Sequence, residues 1–203
     1  MTGTTRAFPS RRQSRAESWL PPGQYDVGSG WPVLSAEVTP RQTTDDWTMT
    51  VDGLVEETQK WTWDGLHELE QSEYHGDIHC VTSWSKAGTT FGGVSIDVLL
   101  SAARPRPAAT HLLATSVTGY TTNLPLPHVL HGQAWVVWSY DGKALTREHG
   151  GPLRLLVPHL YFWKSAKWVT RLTLMDHDAP GFWERNGYHD LGDPWREQRY
   201  QGD

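Results

Sequence analysis

Cysteine is almost missing from this chain: Cys80 is the one thiol in 203 residues. A lone thiol excludes an internal disulfide and leaves three uses, as a small buried hydrophobe, a nucleophile or a metal ligand. It argues against a disulfide-stapled secreted scaffold and fits a reducing compartment. Long apolar runs are missing too, since nothing approaches the roughly 20 residues of a membrane span. The N-terminal stretch MTGTTRAFPSRRQSRAESWLPPG is basic without an apolar core, and Arg11-Arg12 lacks the apolar segment that follows a twin-arginine pair. A cytoplasmic location is therefore expected. Positive charge is in deficit, with 18 Lys+Arg against 23 Asp+Glu and a net charge of -5, so no long-range attraction to nucleic acid exists. The ten histidines form no HExxH or His-x-His pair, and there is no CxxC. G-x-S-x-G, the P-loop and G-x-G-x-x-G are also absent, so structural zinc, hydrolase, NTP and dinucleotide readings all lose their fingerprints.

Aromatic residues are plentiful, with 12 Trp, 7 Tyr and 4 Phe, enough bulk to fill one large core. Residues 1–22 are polar and basic, end at Pro21-Pro22 just before Gly23, and read as a mobile tail. Residues 23–203 then read as a single domain without an internal linker. Trp47–Val51 alternates with period two and stops at Asp52-Gly53. Thr62 caps a short helix over Trp63–Leu69, and Ser95 caps another over Ile96–Ala103 that Pro105 and Pro107 end. Further strands read at His111–Val117, Gln133–Ser139, Leu153–Val157 and Trp168–Met175. After Asp176 the chain is aromatic and aperiodic, and is expected to wrap the core as ordered loop. Strands interspersed with helices at irregular spacing predict an α+β fold of mixed β-sheets with short helices.

Two stretches carry chemistry. Cys80 lies between apolar Ile78-His79 and polar Thr82-Ser83-Trp84-Ser85-Lys86. His79, its neighbour on a strand, points to the opposite face and makes a poor general base for it. In His149-Gly150-Gly151-Pro152-Leu153-Arg154-Leu155-Leu156-Val157, a glycine-rich turn feeds an apolar strand that Arg154 interrupts. A charge there is costly unless it meets a carboxylate or a bound anion. Lys164-Ser165-Ala166-Lys167 follows, and cations, turn amides and a hydroxyl together can cradle a phosphate.

DIHCVTSWSK, GYTTNLPL, EHGGPLRLLVPHLYFWKSAKWV and PGFWERNGYH, in this order, strongly resemble the oxidoreductase molybdopterin-binding domain. This is the sulfite oxidase-like family, and in particular its small stand-alone bacterial members, near the protein-methionine-sulfoxide reductase catalytic subunit. The resemblance covers about Gly23 to Tyr200 and implies the sulfite oxidase molybdopterin-binding-domain fold. It implies a molybdenum atom held by the molybdopterin dithiolene and by the thiolate of Cys80, a soft donor suited to that metal. It implies that Arg154, Lys167 and the Ser165 and Ala166 amides hold the cofactor's phosphate, and that His149, Ser116 and Ser35 contact the pterin. Trp84 and Tyr120 are candidates for the substrate funnel. The implied activity is two-electron oxygen-atom transfer on a small sulfoxide-, N-oxide- or sulfite-like substrate. Electrons then pass through a separate haem, flavin or iron–sulfur protein, since the haem domain of full-length sulfite oxidases is missing. Ser83 stands where close small relatives often carry arginine, which points to a less charged substrate. The competing reading is a non-catalytic binding module of the same fold with Cys80 merely buried.

Overall fold

The computed structural model describes residues 19–203. Of the expected tail, residues 1–18 lie outside the described residues, while Pro21 is buried and its carbonyl accepts the Gln24 amide. Two mixed sheets make up the body. One has the order β3 (Gln59–Thr62), β2 (Thr48–Gly53), β11 (Val169–Met175), β6 (His111–Ser116), β7 (Thr121–Pro125). Alternation aims Met49 and Val51 of β2, Leu112 and Ala114 of β6, and Leu172 and Leu174 of β11 into one apolar core. Full burial of each larger side chain contributes about 1.5–3 kcal/mol. Within this sheet β2 and β11 run parallel and the other pairs antiparallel.

The other sheet runs β1 (Tyr25–Asp26), β5 (Trp84–Ser95), β8 (Trp135–Tyr140), β10 (Arg154–Leu156). In addition β4 (Ser72–His79) pairs with β5, and β9 (Lys143–Ala144) with β8. β4 and β5 form the long hairpin that places Cys80. Its turn closes through Cys80 N–H to Trp84 O at 2.8 Å and Ser83 N–H to Cys80 O at 3.0 Å.

Among the described residues three short α-helices complete the fold. α1 (Trp63–His67) is capped as expected, with Thr62 Oγ1 accepting the Gly65 amide at 3.1 Å, but it stops two residues before Leu69. α2 (Ile96–Ala103) matches its expected bounds: Ser95 Oγ accepts the Asp97 amide at 3.1 Å, and Arg104 turns left-handed before Pro105. α3 (Phe182–Arg185) lies in the aromatic tail, which otherwise holds one 3-10 turn (Pro194–Arg196) and loop pinned by a Tyr188–Tyr200 bridge.

Behind the hairpin His128 and His159 stack, with Nδ1 and Nε2 at 3.2 Å. Burial, and then the neighbouring His128, lower the His159 pKa to about 4. An unfolded histidine takes up its proton near pH 6.5, so between pH 6.5 and 4 the unfolded chain binds the proton and the folded one does not. Stability is therefore expected to fall with pH across that window. Equilibrium denaturation of His159→Gln should show a shallower fall than the wild type, and an equal slope would remove His159 as a cause.

Candidate functional site

The hairpin turn, the β10 segment, the 162–167 turn and the aromatic tail converge on a cavity of about 310 Å³. Of the expected site residues, Ser35, Cys80, Trp84, Tyr120, His149, Arg154, Ser165, Ala166 and Lys167 all line it. Thus the single thiol and the two cations, some seventy to ninety positions apart in sequence, share one space. That volume is at the small end of ligand pockets, which run from about 300 Å³ upward.

At the thiol end, Cys80 is 7% exposed and its Sγ accepts a hydrogen bond from Thr82 Oγ1 at 3.2 Å. Burial pushes its pKa up, while the bond from Thr82 and the charge of Arg199 pull it down. His79 faces the other way: it lines a separate groove with Trp19, Trp135 and Trp195, and its Nδ1 meets Ser85 Oγ at 2.8 Å. The opposite-face geometry read from the strand therefore holds, and His79 is no base for Cys80.

At the far end, Arg154 is 1% exposed and meets no carboxylate within salt-bridge distance among the described residues. It donates only to carbonyls: His149 O at 2.7 Å, Ser165 O at 2.8 Å and Leu155 O at 3.3 Å. Its guanidinium also lies 4.1 Å from the Phe162 ring centre. Burial drops its pKa to about 9. The carboxylate partner that would have made Arg154 structural is not found among the described residues. Lys167 is alike, with Nζ donating to Leu34 O at 2.7 Å and Glu148 O at 2.6 Å. Burial and then Arg154 bring its pKa to about 8. Gly150, at φ 103°, lets the two cations approach: a Cβ there would meet Arg154 Cβ at 3.0 Å and Lys167 Cα at 3.2 Å.

His149 couples this end to the segment above it. Its ring stacks on Trp31 at 3.9 Å, and Nε2 lies 3.2 Å from Trp31 O, an acceptor only. Nε2 therefore carries the proton, leaving Nδ1 to accept from Thr146 Oγ1 at 3.0 Å. Burial lowers the His149 pKa, with Arg154 and Lys167 adding to the effect.

The structure corrects several expectations. Ser116 does not line the cavity; its Oγ is turned to Thr118, accepting that amide at 3.1 Å and closing the β6–β7 turn. Thr118 in turn donates to Glu37, the residue that does reach the wall. The Ser165 amide is already used by Phe162 O at 3.2 Å and its Oγ by Val157 N–H at 2.9 Å, so Ser165 offers an anion no donor from its backbone. The amides of Ala166 and Lys167 have no acceptor among the described residues. Lys164 belongs elsewhere, in a fully buried pair with Glu184 at 2.6 Å. Ser83 sits at φ 72° off the cavity wall, and Thr82 takes the place beside the sulfur. Tyr120 lines the cavity, but its hydroxyl donates to Trp163 O at 2.7 Å.

Sequence reasoning missed the aromatic side of the thiol end: Trp163, Trp183 and Tyr188 are all on the wall. Tyr188 stands between the other two, 5.3 Å from Trp163 and 4.8 Å from Trp183. For Trp183 and Tyr188 the available signal was the density of Trp and Tyr after Asp176, and Trp163 had none. Trp84 brings a buried indole N–H with no acceptor among the described residues.

Fold and cavity together define a domain that sets two cations and one thiol on the wall of a single cavity. A model of the oxidoreductase molybdopterin binding domain matches residues 36–183, and the chain belongs to this family. It is 38% identical to the oxidoreductase YuiH of Bacillus subtilis over 97% of this chain and 99% of YuiH. It is 30% identical to a protein-methionine-sulfoxide reductase subunit, YedZ1, from Azospira oryzae over 71% of this chain. It is 28% identical to the catalytic subunit MsrP of Gluconobacter oxydans over 68%. The chain spans about half of those last two proteins, 55% and 50% of their lengths. Among solved structures, the sulfane dehydrogenase SoxCD of Paracoccus pantotrophus superposes with a TM-score of 0.64 at 22% identity, over 70% of this chain and 41% of that one. That likeness confirms the α+β fold of mixed sheets.

The residues fit the family's cofactor. A buried guanidinium without a carboxylate, a second cation bound only to carbonyls, and two free amides are a donor set for a phosphate. The one thiol in the same cavity offers a metal a single sulfur donor from the protein.

Proposed function

We propose that the chain is a molybdenum–molybdopterin oxidoreductase that transfers oxygen atoms, two electrons at a time, on a small sulfoxide-, N-oxide- or sulfite-like substrate. Electrons are exchanged with a separate carrier protein bearing haem, flavin or an iron–sulfur cluster. The observation that carries this reading is Arg154: a buried cation with no counter-charge among the described residues, lining the cavity that also holds the chain's one thiol. When bound, the molybdenum group supplies the two-electron redox change and the exchangeable oxygen that no side chain here offers.

The chain's own residues hold, orient and exclude water. Cys80 gives the metal its protein sulfur. Arg154, Lys167 and the Ala166 amide grip the anionic tail, with the planar guanidinium fixing its direction and the ammonium adding a point charge. His149, with its proton on Nε2, and Ser35 flank the pterin. Trp31 and Phe162 wall the centre of the cavity with apolar surface, which strengthens each charge contact within.

On the thiol side the wall is aromatic, built by Trp84, Trp163, Trp183 and Tyr188, with no cation among its lining residues. A dianion such as sulfite gains little there, and a neutral sulfoxide or N-oxide is favoured. The names of the relatives from Azospira and Gluconobacter support this side of the range. A cytoplasmic location, resting on the single cysteine, is part of the proposal.

The test is turnover of protein purified from a host that makes the cofactor, with reduced benzyl viologen as donor and ferricyanide as acceptor. Methyl phenyl sulfoxide and trimethylamine N-oxide should be reduced faster than sulfite is oxidised. Sulfite oxidation alone would reverse the substrate assignment, and no turnover by molybdenum-loaded protein would favour the non-catalytic module.

A further inference from the structure

The flanks outside the matched region 36–183 meet at the Cys80 turn. From the N-terminal side, β1 pairs with Trp84 and Ser85, and the Tyr25 amide donates to Ser83 O at 2.8 Å. From the C-terminal side, Arg199 donates from Nη1 to Val81 O and lays its guanidinium 5.0 Å from the Tyr161 ring centre. No ion pair occupies Arg199 among the described residues.

Side chains join the two flanks. Ser85 Oγ donates to Gln24 Oε1 at 3.3 Å and so accepts from His79 Nδ1 at 2.8 Å. Gln24 Nε2 donates to the Tyr161 hydroxyl at 3.4 Å. The path His79, Ser85, Gln24, Tyr161, Arg199, Val81 is therefore a ring. It leaves the chain at the residue before Cys80 and returns to it at the residue after.

We propose that Arg199 is a positioning residue that closes this ring and fixes the direction in which the Cys80 sulfur enters the cavity. Both chain neighbours of Cys80 are held from behind, one by its ring nitrogen and one by its carbonyl. The sulfur's approach is then set by groups that never touch the cofactor. Such outer contacts orient metal ligands and tune the centre. Arg199 also brings positive charge to the back of a turn whose sulfur must bind as thiolate. Arginine suits the place because one guanidinium can stack on Tyr161 and still donate to a carbonyl. The inference rests on the molybdenum reading for its purpose, but the ring itself does not.

Arg199→Gln, Arg199→Lys and Gln24→Ala are compared with the wild type in two states. In cofactor-free protein, hydrogen exchange at the Cys80 and Ser83 amides should rise about tenfold in Arg199→Gln and Gln24→Ala, with Leu172 of β11 unchanged. In molybdenum-loaded protein the Mo(V) electron paramagnetic resonance signal should shift in Arg199→Gln and return towards the wild type in Arg199→Lys. Gln24→Ala keeps the question open to measurement should Arg199→Gln fold poorly. Wild-type exchange at the turn together with an unchanged Mo(V) signal would overturn the role of Arg199. Wild-type protein without molybdenum would instead sink the proposed function, and the exchange data would still decide the ring.

Discussion

Arg154→Met is expected to lose the cofactor while leaving the cofactor-free protein within about 1 kcal/mol of wild-type stability. The reason is the state of Arg154 before anything binds. Its guanidinium is buried, and burial alone drives its pKa down to about 9. At neutral pH the folded chain therefore carries a desolvated charge compensated, among the described residues, by three carbonyl hydrogen bonds and the faces of Phe162 and Trp31. Methionine removes the charge and most of the void together, so lost bonds and relieved desolvation nearly offset. Arg154→Ala removes the same charge but leaves a cavity, and should cost about 3 kcal/mol more. Chemical denaturation of both cofactor-free variants, with pterin content of the purified proteins, checks this. Equal, severe destabilisation by both would mark Arg154 as structural, and wild-type pterin content in either would remove it from the site.

The second large effect is expected at the Lys164–Glu184 pair, both members of which are fully buried. Lys164 also donates to Asn123 O at 2.9 Å and Oδ1 at 3.0 Å, and Glu184 accepts the Trp163 indole N–H at 2.9 Å. Burial lowers the Lys164 pKa and Glu184 opposes it. Lys164→Met leaves a buried carboxylate alone and should cost about 3–5 kcal/mol, whereas adding Glu184→Leu should recover most of the loss. Because the pair anchors Trp163, Lys164→Met should also disturb the aromatic wall, visible in the near-ultraviolet circular dichroism. A double variant no more stable than Lys164→Met would mean that the pair is not the source of the effect.

Much of this architecture was legible in the sequence. α2 could be bounded because a cap and two prolines agree. β6 and β11 read to within one residue of their observed ends. Arg154 stood out because one charge interrupts an apolar run, and among the described residues no carboxylate pairs with it. The β4–β5 hairpin was not legible, although it carries Cys80. Its second strand holds Gly88, Gly92 and Gly93, which by sequence alone resemble turns. Gly93 is instead demanded by β8, since a Cβ there would lie 2.0 Å from Val136 O. Local pattern does not report such a close approach between strands.

The site divides along the same line. Cys80, His149, Arg154 and Lys167, whose roles the resemblance implies, share the wall of one cavity. Ser116 and Ser165 do not serve as expected because their hydrogen bonds are taken up by neighbouring turns. Half of the aromatic wall, Trp183 and Tyr188, comes from the tail, whose path depends on the Tyr188–Tyr200 bridge and the buried Glu184, neither of which has a periodic signature.

The central claim is that the sulfur of residue 80 binds molybdenum. The direct measurement is metal content by mass spectrometry, with pterin fluorescence, for wild type and Cys80→Ala purified from a cofactor-producing host. One molybdenum per wild-type chain, and none in a folded Cys80→Ala, is the predicted result. Folded wild-type protein free of molybdenum, or Cys80→Ala with its metal intact, contradicts it.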